Sequence, residues 1–184
     1  MIMWILSLIS FLLLGGFLLL SAMRFGVPDM VSDTYYQLQS TTGSEVLGGK
    51  TKRNFGWVFS VVMVLVALLM MVAILDLDKG LQCLAFIGCG GLAFVGCAPN
   101  YLGDESKVHK IAALVAAAGC VGWCLSVCWS LTLIVACLYA FAMIKVYDRN
   151  QFIGFKVVSY HPWYWLEVSA FLDVFVTYWL AYNI

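Results

Sequence analysis

The sequence predicts an all-α polytopic membrane bundle of six transmembrane helices, with N-terminus and C-terminus both outside. Three observations carry this. Only 11% of the 184 residues are charged and 64% are hydrophobic, whereas a soluble domain carries about a quarter charged residues. Apolar runs recur at the length that spans a bilayer core, about 17–25 residues. Finally, a six-span threading puts nine of the ten basic residues on one side, as expected for cytoplasmic loops.

The elements follow in order. Residues 1–22 form the first span. No basic residue precedes this run, and it is longer than the roughly 7–15 apolar residues of a signal peptide, so it reads as a retained helix. The second span is 55–75, the third 81–98 and the last 163–182, the last preceded by Pro162, which suits a first helical turn. Between them, 111–144 runs 34 residues without a charge. One helix of that length would reach about 51 Å, against a core of about 30 Å. It is therefore expected to fold back as spans near 111–127 and 130–145, turning around Cys128, Trp129 and Ser130. On this threading Arg24, Lys50, Lys52, Arg53, Lys107, Lys110, Lys145, Arg149 and Lys156 lie inside and Lys79 alone outside.

The connections differ in character. Residues 76–80, DLDKG, make a tight outer turn, and 99–110 and 145–162 make inner loops. Ser106 is placed to cap the helix that carries His109. The long inner segment 23–54 begins with Met30, Val31, Ser32, Asp33, Thr34, Tyr35, Tyr36 and Leu38, a composition suited to a short interfacial helix with tyrosines at headgroup level. Its second half, rich in Gly, Ser and Thr, reads as a loop.

Candidate functional residues are those whose polarity is costly in lipid. Asp173 falls near the middle of the last span, and Ser169, Asp173 and Thr177 share a face at i, i+4, i+8. The stripe has two readings. One is an interhelical clasp, to Ser126 or Ser60. The other is a proton, ion or substrate path. Glu167 lies one turn into the same span, level with His109, and a direct Glu167–His109 pair is one arrangement that accommodates both. His109 and His161 sit in no metal-spacing or haem-ligand motif, so no metal and no cofactor are expected.

The seven cysteines all lie in apolar runs. Cys120, Cys124 and Cys128 form an i, i+4, i+8 row flanked by Ala and Gly, matched on the third span by Ala85, Cys89, Ala93 and Cys97. Small residues let membrane helices approach closely, so packing explains both rows. The expected partners are the lipid bilayer and, through such faces, a helix-packing oligomer. A formal net charge of zero gives no sign of a nucleic-acid partner.

Three short features resemble small six-span membrane proteins of the DRAM/Frag/Sfk kind. They are the Ser32-Asp33 pair after span one, Gly96 to Pro99 ending span three, and His109-Lys110-Ile111-Ala112-Ala113 opening span four. The segment SDTYYQL is similar to a tyrosine-pair motif in uncharacterised bacterial and phage membrane proteins. The resemblance covers about a tenth of the chain and implies a fold and a bacterial inner-membrane setting, not an activity. Alkaline ceramidase-like hydrolases use three metal-binding histidines, and two histidines cannot complete that site.

Three functions are therefore expected in turn: a non-enzymatic packing or regulatory protein, a small transporter or channel using Asp173, or an intramembrane lipid-modifying enzyme. The last would use His109, Glu167 and the Ser32-Asp33 segment at the cytoplasmic interface; Tyr35 and Tyr36 beside it are further functional candidates.

Overall fold

A computed structural model describes residues 2–40, 55–148 and 161–183. The Gly/Ser/Thr-rich stretch and the basic residues Lys50, Lys52, Arg53, Arg149 and Lys156 lie outside the described residues. Those described form α1 (Ile2–Phe25), a 3₁₀ turn (Val31–Asp33), α2 (Thr34–Ser40), α3 (Gly56–Leu77), α4 (Gln82–Cys97), α5 (Ser106–Asp148) and α6 (Pro162–Asn183), with no strand among them. Helix α1, helix α3 and the Ser106–Ile144 part of α5 are each long and apolar enough to cross a membrane, and α4 is a shorter apolar helix.

The distribution of side chains fits a lipid solvent. Large apolar residues such as Leu65, Leu68, Phe86, Phe94, Leu114 and Leu138 are exposed, while Ser7, Ser10, Ser21, Thr132, Asp173 and Thr177 are buried. Lipid gives no reward for hiding an apolar side chain, so close packing and interhelical hydrogen bonds hold such helices together. Helix α1 shows this directly. Its buried face is Ser7, Ser10, Leu14, Leu18 and Ser21. There Ser10 Oγ donates to the Val66 carbonyl at 3.2 Å and Ser7 Oγ accepts from Trp179 Nε1 at 3.1 Å.

Helix α5 breaks at Cys128, whose φ of −148° and ψ of 73° are non-helical. Cys124 and Thr132, on either side of the break, both face the Asp173 carboxyl. Eight residues of unbroken helix would separate them by about 12 Å along the axis, so α5 is kinked here. The break needs neither Gly nor Pro.

Helices α4 and α5 touch backbone to backbone. A Cβ on Gly119 would lie 2.5 Å from Gly88 N, and one on Gly91 would lie 2.6 Å from Ala116 N. The connection from α3 to α4 is tight as well. Asp78 ends α3 in the left-handed region at φ 50° and Gly80 follows at φ 69°. Lys79 Nζ reaches 2.8 Å to the Ala181 carbonyl, satisfying an end of α6 that the helix itself leaves open.

The segment after α1 forms the short helix expected there, and it packs against the bundle. Val31 and Thr34 are 2% and 1% exposed, and Tyr35 packs its ring 6.3 Å from Phe59 of α3. The segment tucks into one end of the bundle, because its own polar groups find partners there. In addition, Ser106 opens α5 rather than preceding it.

Candidate functional site

The chain from Asp29 to Tyr36 is held by polar groups from α5, α6 and the α4–α5 loop. Glu167, one turn into α6, accepts the Val31 N–H through Oε2 at 2.7 Å. His109, one turn into α5, has Nε2 2.9 Å from Ser32 Oγ and Nδ1 2.7 Å from the Ala98 carbonyl. A carbonyl only accepts, so Nδ1 carries a proton. In the neutral ring Nε2 is then bare and accepts the Ser32 hydroxyl. His109 is 4% exposed, and the Tyr101 ring lies 5.2 Å away at 33°, which fixes the imidazole plane.

Asp33 braces the same turn. Its Oδ2 accepts the Met30 N–H at 3.0 Å and its Oδ1 accepts the Tyr101 hydroxyl. Burial, followed by that hydrogen bond and the Asp33 charge, pushes the Tyr101 phenol well above its ordinary range. Burial also raises the Tyr35 phenol, with Glu105 adding to it. Tyr36 Oη donates to Asn100 Oδ1 at 3.1 Å and accepts the Leu102 N–H at 2.8 Å. Farther out, His161 Nδ1 lies 2.9 Å from Asp29 Oδ1.

Glu167 and His109 therefore do not pair with each other, as one sequence arrangement had it. Each grips an adjacent residue of one turn, Val31 or Ser32. A backbone N–H and a hydroxyl suit a carboxylate and a neutral imidazole without an ion pair between them. Ser32, Asp33, Tyr35, Tyr36, His109 and Glu167 come together in one cluster. Reasoning from sequence missed Tyr101, Asn100 and the Ala98 carbonyl. The signal for Tyr101 was available in its position eight residues before His109, in a loop with few other aromatics.

This cluster closes one end of a cavity of about 120 Å³ inside the bundle. Val31, Met63, Val95, Ala116, Phe171 and Phe175 are on its wall, and Ser32 and Glu167 supply polarity there. Cys89 and Cys120 also face it.

Asp173 lies elsewhere. It is 3% exposed, 3.5 Å from Thr177 Oγ1, with Thr132 and Cys124 facing it. Two expectations change at this point. Ser169 Oγ donates to the Leu166 carbonyl of its own helix at 2.8 Å and does not extend the stripe. Ser126 accepts the Leu81 N–H at 2.9 Å in the α3–α4 turn and is not the partner of Asp173. A hydroxyl on a helix commonly bonds back to a carbonyl one turn earlier, which removes it from interhelical contact.

No group of three or more His, Cys, Asp or Glu among the described residues is arranged to hold a metal ion. The chain matches no family model, and no curated protein or solved structure is significantly similar to it.

Proposed function

We propose that the chain is a six-span membrane protein, with both termini outside, that binds an acyl-chain amphiphile within its bundle. The part of the tail next to the head enters the small cavity between α3, α4, α5 and α6 and the rest follows the apolar outer surface, while the polar head meets Ser32 and Glu167. The carrying observation is the cavity itself: an apolar wall that Ser32 and Glu167 also line, with Ser32 bonded to a buried histidine. An apolar pocket with a few convergent polar groups is the form that small-molecule sites take. A bilayer supplies molecules of the matching shape, a hydrocarbon tail with a polar end.

Three membrane-length helices, the kink at Cys128 and the nine-to-one distribution of basic residues support the six-span reading. Asp173 is not on the cavity wall, which weighs against a transport path through it, and we read it as an interhelical clasp. The setting we propose is a bacterial inner membrane.

The test is photolabelling of the purified protein in nanodiscs with a diazirine-bearing fatty acid. Crosslinks on Met63, Ala116 or Phe171 are expected. Labelling confined to outward residues such as Phe86, Phe94 and Leu114 would reject the reading.

A further inference from the structure

We propose that Ser32 is an acyl-accepting nucleophile, with His109 as its general base, acting on a long-chain carboxylic ester. The proposal rests on the amphiphile reading above and gives it a substrate class.

Ser, His and a third group stand in line. Ser32 Oγ is 2.9 Å from His109 Nε2, and His109 Nδ1 is 2.7 Å from the Ala98 carbonyl. A nucleophile within hydrogen-bond reach of a base, itself oriented by a further acceptor, is the arrangement that activates a hydroxyl. Here a backbone carbonyl takes the place often filled by a carboxylate. It fixes the tautomer with Nε2 free to accept, and it cannot be lost by protonation near neutral pH.

The nucleophile is also presented. Ser32 sits in the single 3₁₀ turn Val31–Asp33 and is on the cavity wall. That turn is held on both sides, by Glu167 at Val31 N–H and by Asp33 at Met30 N–H. Glu167 and Asp33 are positioning residues. The residue that meets His109 therefore also borders the apolar cavity.

The chemistry balances without an added oxidant or metal. With the acyl tail in the cavity, Ser32 Oγ bonds to the ester carbonyl carbon and passes its proton to His109 Nε2. The C–O bond to the alcohol breaks, and Nε2 returns that proton to the departing alkoxide. Water then attacks the acyl carbon and gives a proton to Nε2. The bond to Oγ breaks and Oγ regains the proton, releasing the fatty acid.

The test uses the full chain in nanodiscs with a long-chain alkyl fluorophosphonate. One adduct is expected, mapped by peptide mass spectrometry to Ser32, and its formation should be slowed about 10²- to 10⁴-fold by His109→Gln, the usual range for a general base. Adduct mapping on the wild-type chain needs no variant to fold. Fatty-acid photolabels on the cavity wall without a Ser32 adduct would overturn this proposal and leave the amphiphile reading standing. Absence of both would overturn both, and an adduct on any other serine would overturn the assignment to Ser32.

Discussion

Replacing Gly119 with Ala tests the packing of α4 on α5 quantitatively. The new Cβ would stand 2.5 Å from Gly88 N, 2.6 Å from Gly88 Cα and 2.7 Å from the Leu84 carbonyl oxygen. All three are backbone atoms, so no side chain can swing away. Ordinary contact begins near 3.4 Å, which leaves the helices about 0.9 Å too close. Overpacking of this kind costs about 1–3 kcal/mol, against about 1 kcal/mol gained from replacing Gly by Ala in a helix. Gly90 is the internal control, because a Cβ there meets nothing within 4 Å. Gly90→Ala keeps the propensity gain and lacks the clash, so the two variants should differ by about 1–3 kcal/mol. Unfolding in mixed micelles with increasing SDS reads the difference. Equal midpoints for Gly119→Ala and Gly90→Ala would refute the contact.

Asp173→Asn should fold nearly as well as wild type, because an amide keeps donor and acceptor for Thr177, while Asp173→Leu should lose about 0.6–2 kcal/mol in the same SDS titration. Equal losses for both variants would contradict the clasp. Tyr101 keeps its proton in the folded chain above the pH where an unfolded tyrosine, near 10, gives it up. Its contribution is therefore complete below about pH 10 and lost as pH rises beyond it. Tyr101→Phe should flatten the fall in melting temperature above pH 10, and an unchanged slope would speak against the Asp33–Tyr101 bond. For topology, a thiol introduced by Asp104→Cys should react with an impermeant maleimide only from the cytoplasmic side, and reaction from outside would end the proposed orientation.

Much of the architecture was legible because bilayer thickness converts run length directly into helices. The same arithmetic, by which 111–144 is too long for one crossing, pointed to the region where α5 has its kink at Cys128. The residues of the cluster were legible as polar groups that lipid makes expensive, and His109, Glu167, Ser32 and Asp33 as one interfacial set. Which of them bond to which was not. Val31 and Glu167 are 136 positions apart, as Ser32 and His109 are 77 apart, and no periodicity encodes which loop folds into which end of a bundle. The tyrosine-rich composition of 30–38 suited an interfacial helix equally well. Its contacts with Glu167 and His109 could not be read from that composition. Ser169 shows the converse failure: correct helical spacing from Asp173, but a hydroxyl satisfied by its own backbone.

On the proposed function, an acyl chain enters the cavity that Ser32 and Glu167 line. An experimental density map of the protein in lipid nanodiscs addresses it most directly. The expected result is elongated density between α3, α4, α5 and α6, with its polar end within hydrogen-bond reach of Ser32 or Glu167. A cavity filled by the side chains of Met63, Phe171 and Phe175, with lipid density confined to the outer surface, would contradict it.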